Sequence, residues 1–209
     1  MTSIVDSITE PLSLYLKNGS GTQHESLDQR IMALAPFSSR ERFVCFLRMQ
    51  LRLHLVTSPL YENAELQKML SDLGARNRLD AILLDCADFS VTSEQLLEDR
   101  DAAAAVLIEP NEAVLGWLYT HEGSTLGAAF LLKHARDLLG LSETFGARHL
   151  AGHVEGRGLH WRRFKEELDA IDLTVEQREK ALVGTRQAFS FVRASVEELM
   201  GVERAADAV

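Results

Sequence analysis

The sequence predicts an all-α fold, on three observations. No stretch sustains the period-2 alternation of a half-buried strand. Three segments carry helix-capping patterns: Thr22-Gln23-His24-Glu25, Ser38-x-x-Glu41 and Thr174-x-x-Gln177. The longest periodic stretch, GWLYTHEGSTLGAAFLLKHAR at 116–136, lies between Pro110, tolerated at a helix start, and Gly140, a favoured helix stop. With 209 residues, 46% of them hydrophobic and 25% charged, the chain fits one domain over 1–209 with a substantial core. About 1–8 and 203–209 are expected to fray.

In chain order, LSLYLK at 12–17 is weakly helical and NGSG then interrupts it, so a helix is expected to start at the Thr22 capping box. On it His24, Leu27, Ile31 and Leu34 form one stripe, which places His24 on the core-facing side. The Ser38 capping box opens a second helix to about Ser58, closed by Pro59. There Phe43, Leu47, Gln50 and His54 share a face, so two polar side chains interrupt an apolar stripe. Residues 64–70 and 72–86 read as shorter helices, and 89–109 as loop with a short helix. The glycine-bearing helix follows, then a short helical segment over 142–150, the GHVEGRG loop and a helix over 159–170. The last helix runs from the Thr174 cap to Met200, with Gly201 as its stop.

Gly123 and Gly127 stand at i, i+4 inside the long helix, each costing about 1 kcal/mol relative to alanine. Gly116 and Thr120 extend them into a strip of small residues on one face. Such a strip serves either close packing of another helix or the seating of a broad, flat cofactor.

Several function classes are excluded or disfavoured. The formal net charge is −9, from 31 acidic and 22 basic residues, which disfavours nucleic acid as a partner. The start, MTSIVDSITEPL, has no basic region followed by a long apolar run. No stretch approaches the ~20 apolar residues of a membrane span. Cys45 and Cys86 offer neither a disulfide framework nor a metal spacing. A cytoplasmic protein is expected. His121-Glu122 begins a zinc-protease motif but lacks its second histidine, and His121 falls about 200° from Gly123 on the helical wheel. Gly123-Ser124 is no nucleophile elbow. His149, His153 and His160 are separated by a glycine loop that spoils a fixed zinc geometry.

The run GWLY-x-x-EGS-x-LGAAFL-x-KHA, followed by FGARHLA and GRG-x-HW, resembles the bacterial haem oxygenases of haem-iron acquisition and bilin supply, from about Leu12 to Leu199. The resemblance implies haem, substrate and cofactor at once, sandwiched between a proximal and a glycine-containing distal helix. It implies cleavage with O2 and electrons from an external reductase to biliverdin, CO and Fe2+, by a protein expected to be monomeric. His24 matches the proximal iron ligand, and a position near a helix N-terminus would favour the neutral imidazole that ligation needs. Gly123 and Gly127 match the distal glycines, where a side chain would strike the macrocycle. Ser124 falls within the same pattern. Gln50 and His54 match positions of the distal water network. Lys17 and Tyr119 match the residues holding the propionates, a pair carried by the subtype that opens the α-meso bridge. Phe189 matches a pocket-lining position. A non-catalytic haem carrier or sensor of the same fold is the alternative, though it would need neither bare glycines nor a water network.

Overall fold

The structure, a computed structural model, describes residues 10–201, so the ends expected to fray lie outside the described residues. These residues form eight α-helices: α1 Leu12–Ala33, α2 Arg40–Tyr61, α3 Ala64–Met69, α4 Leu79–Asp88, α5 Ser93–Ala104, α6 Ala113–Leu139, α7 Arg157–Asp169 and α8 Val175–Leu199. The all-α class is as the sequence predicts.

Several boundaries differ from expectation, each for a physical reason. Helix α1 runs unbroken through NGSG and does not start at Thr22. The two interior glycines cost about 2 kcal/mol together. Docking outweighs that, since Leu12, Leu16, Leu27 and Leu182 are all buried, each side chain contributing about 1.5–3 kcal/mol. Gly19 permits the approach: a Cβ there would stand 2.6 Å from the Leu182 methyls. Helix α2 is capped by Ser39, whose hydroxyl accepts from the Arg42 N–H, and not by Ser38. It continues past Pro59 to Tyr61, whose buried ring holds the final turn in the core.

The stretch expected as one helix over 72–86 is a 3-10 turn, Leu73–Arg76, followed by α4. Asp72 adopts a left-handed φ of 52° before the turn, and the Asn77 side chain accepts from the Leu79 N–H. Residues 142–150 form a tight turn and a 3-10 segment, Arg148–Leu150, instead of a helix. Helix α5 fills a region expected to be mostly loop, and it has a full capping box at Thr92 and Gln95. Helix α6 stops at Gly140 with φ 67°, its N–H bonded to the Arg136 carbonyl, and α8 opens on the Thr174–Gln177 capping box.

Helices α6 and α8 cross at their closest through two glycines. A Cβ on Gly116 would lie 2.0 Å from the Ala181 carbonyl oxygen, and one on Gly184 would lie 2.1 Å from that of Ala113. Helix α1 also lies along α8, while α2 supports both α6 and α8 from behind. Buried Asp99 joins Arg48 and Arg52 at 2.8 Å each, and Arg52 reaches Glu198, so α2, α5 and α8 are tied by charge.

The apolar interior has two parts. Leu16, Leu118 and Leu182 belong to one, and Leu27, Ala128, Ala188 and Phe189 to the other. Among the described residues, no helix is long and apolar enough to cross a membrane.

Candidate active site

Helices α1 and α6 both rest on α8 and share no hydrogen bond or ion pair among the described residues, and the space between them over α8 is the candidate cleft. On the α1 wall, Leu16, Ser20 and Leu27 are buried, and His24 sits in the same row. Its side chain is nevertheless 62% exposed. The ring meets Phe189 edge-on at 5.7 Å, and Nε2 lies 3.4 Å from an Asp28 carboxylate oxygen. Because the helix begins at Leu12, His24 is three turns inside it, and the expected influence of the N-terminal dipole is gone. Phe189 itself is buried in the floor. Lys17 is exposed, two turns before His24 and within about 20° of it on the wheel.

The opposite wall is the bare face of α6. A Cβ on Gly127 would meet nothing within 4 Å, and one on Gly123 only the Trp161 ring at 3.6 Å. Leu126 and Phe130 are exposed on the same side. The strip of small residues thus divides: Gly116 serves the helix crossing, and Gly123 and Gly127 face open space. Tyr119 lies against Trp161, ring centroids 5.5 Å apart. Burial, with Asp169 adding, pushes its phenol up to about 12.

Behind α6, away from the bare face, is a polar chamber of about 40 Å³. Gln50 and His54 both line it. His149 holds Asp85 through Nδ1 at 2.7 Å, and the Gln50 amide lies 2.7 Å from its Nε2. Burial, partly offset by Asp85, lowers the His149 pKa. The Gln50 atom placed at Nε2 is the amide oxygen; with the Nδ1 proton shared with Asp85, Nε2 of the neutral ring is an acceptor, which favours the flipped amide with its N–H donating to Nε2. The Gln50 carbonyl oxygen then turns away from His149. His54 is buried and its Nδ1 has no protein partner. Burial, then the neighbouring imidazoles of His121 and His149 and the Arg78 charge, hold its pKa well below the ordinary value.

His121 points away from the cleft, stacks edge-on against His54 at 4.3 Å and bonds Thr57 at 2.7 Å. Burial, with Arg78 adding, lowers it to about 4. Glu122, pushed up by burial, is held by Arg76 at 2.8 Å and by the Tyr61 hydroxyl at 2.7 Å. Ser124, grouped from sequence with the binding residues, departs from the bare face: its hydroxyl donates to the His121 carbonyl at 2.6 Å, and it lines the chamber. His153 and His160 stack at 4.1 Å over the same chamber.

The structure therefore sets His24 against Phe189, leaves Gly123 and Gly127 bare on α6, and brings Gln50, His54 and Ser124 to the chamber. Sequence inspection missed Asp85, Thr57, Tyr61 and Arg76 as partners of the chamber residues. Each is far from its partner along the chain, and the one local signal, the adjacent His121-Glu122, fits no metal motif.

The haem oxygenase family profile matches residues 10–198. The chain is 37% identical over 170 residues to the haem oxygenase PigA of Pseudomonas aeruginosa, spanning 80% of this chain and 82% of PigA. It superposes on the NO- and CO-bound haem oxygenase from Neisseria meningitidis with a TM-score of 0.82, at 37% identity and with 95% of each chain covered. The haem complex of haem oxygenase-1 from the cyanobacterium Synechocystis shares the fold alone, with a TM-score of 0.69, 16% identity, and 92% and 93% of the two chains covered.

Proposed function

This chain belongs to the haem oxygenase family, and from that premise we propose how its own residues carry the reaction. The protein is an enzyme that degrades haem, its substrate and its prosthetic group, to biliverdin. One observation carries the residue assignment: an exposed imidazole in an otherwise buried row of α1 shares the cleft with a helix face that is bare at two glycines. A flat macrocycle fits that arrangement, whereas a packed helix would fill the space at Gly127.

His24 would hold the haem iron from the α1 side, and Phe189 would support the macrocycle beside it. Gly123 and Gly127 let the macrocycle lie against the α6 backbone, and Leu126 and Phe130 extend the apolar contact. When bound, haem supplies the iron at which O2 is activated and the meso carbon that is attacked. Gln50 and His54 hold ordered water: an unpartnered buried Nδ1 costs about 1–3 kcal/mol unless it is solvated, and a polar space of about 40 Å³ admits water. Ser124, with its hydroxyl committed to the helix, borders that water rather than the ring. Electrons come from an external reductase, and the protein works as a cytoplasmic monomer.

Lys17 and Tyr119 anchor the propionates. The continuity of α1 supports this, since it sets the ammonium below His24 on the same face. A charge-assisted bond contributes about 1.5–3 kcal/mol. At 1.4 kcal/mol per tenfold, one such bond biases the in-plane seating by about an order of magnitude or more. Biliverdin IXα is therefore the expected main product, with a shift to the β and δ isomers in Lys17→Asn/Tyr119→Phe. Chromatography against isomer standards tests this, and a δ-dominant wild type would refute the anchoring.

A further inference from the structure

The chamber behind α6 carries more positive than negative charge. Three guanidinium groups line it, those of Arg76, Arg78 and Arg157, against one carboxylate, Glu122. Arg76 is matched, by Glu122 at 2.8 Å and Asp72 at 2.9 Å. Arg78 and Arg157 are not. Arg78 bonds only the His149 carbonyl, at 3.4 Å, and Arg157 only those of Thr125 and Leu150. Both are half-buried, and among the described residues no carboxylate lies within ion-pair distance of either. Glu122 acts on Arg78, and Glu143 on both, only from a distance.

The imidazoles around these two cations add no negative charge. Burial lowers His54, His121, His149 and His160, so all four are neutral near pH 7. Burial also lowers the pKa of both arginines, the sign of cations short of a partner. Removing a charge from water is unfavourable unless an opposite charge compensates. The buried Nδ1 of His54, with no protein partner, is a further donor when its proton sits there.

We propose that this chamber binds a small, singly charged inorganic anion, halide- or bicarbonate-sized, between Arg78, Arg157 and His54. Its size sets the class. On this measure a water needs about 10–15 Å³, so about 40 Å³ holds one such anion with water and is too small for organic phosphates or the larger carboxylates. The site is separated from the bare glycine face by the width of α6. An anion here would hold the Gln50–His149–His54 surroundings near neutrality without touching the cleft.

Bromide is the probe, and the haem-free full chain is the sample, so the outcome does not depend on the haem assignment. Bromide replaces gluconate at constant ionic strength while the thermal midpoint is followed. Crystals grown in bromide are measured at its absorption edge. The wild type should show a saturable rise in midpoint, and a bromide within hydrogen-bond distance of Arg78 in the chamber. Arg78→Gln and Arg157→Gln should each weaken apparent binding at least tenfold, and Arg157→Lys, which keeps the charge, should weaken it less. If Arg78→Gln does not fold, the Arg157 pair carries the comparison alone. An identical midpoint response in wild type and Arg157→Gln, or crystals with bromide elsewhere and none in the chamber, overturns the proposal.

Discussion

His24 stands where the neighbours on its row are buried, yet most of its side chain meets solvent. Its place on the row was legible in the sequence, because a spacing of three and four identifies a helix face. The exposure was not, because it depends on α6 staying clear of α1. For His24→Ala, loss of the axial bond predicts a haem complex of altered spin state with little turnover. An unchanged absorption spectrum would remove His24 from the assignment. The interaction partners of His121 were also illegible, since Thr57 and Tyr61 reach it from another helix. Its lowered pKa, about 4 against 6.5 unfolded, has a definite sign in stability. The neutral ring's contribution is complete above pH 6.5 and is lost as pH falls from 6.5 towards 4, by up to about 1.4 kcal/mol per pH unit. Denaturant unfolding should therefore show stability falling from pH 7 to 5, with a shallower fall in His121→Asn. Equal slopes in the two proteins would contradict this.

At the scale of the element, the glycines of α6 make opposed predictions. Gly127→Leu meets open space, so the fold should hold or gain up to about 1 kcal/mol by propensity while haem binding and turnover fall. Gly116→Ala collides with backbone atoms of α8, which cannot rotate aside as a side chain can. It should cost about 1–3 kcal/mol, read as a lowered thermal midpoint. A destabilised Gly127→Leu would mean that the face packs on protein. From sequence the four small residues looked alike, because spacing gives a shared face and not what lies opposite. The C-cap of α6 and the N-cap of α8 were legible, being local chemistry, whereas α6 begins at Ala113 and not at Pro110. Helix α5 was expected only as a short helix within a loop, although Thr92-x-x-Gln95 is a capping box. Its buried face consists of Asp99 and Ala103, the former held by arginines, so no apolar period marks it. NGSG misled for the converse reason, since a tertiary contact at Gly19 overrides the local preference.

Across the whole molecule, the two walls of the cleft are held with unequal firmness. Helix α6 meets α8 backbone to backbone at Gly116 and Gly184. Helix α1 is held to α8 partly by exposed pairs: Arg30 with Glu197, Tyr15 with Glu179, and Arg193 with Ser26. Exposed ion pairs contribute about 0–1 kcal/mol and weaken in salt. Amide exchange should therefore be faster in the second half of α1 than in the first half of α6, and raising the salt concentration should widen the gap. Equal protection at both salt levels would show the walls to be equally fixed. The mechanical consequence is a vice with one fixed jaw. The jaw that must keep its register against the reacting edge is anchored in the frame, and the jaw carrying the imidazole can swing. A rigid disc loaded edgewise and a slack open chain leaving afterwards demand different apertures. Both can be met by tilting one helix, with the other never losing its setting.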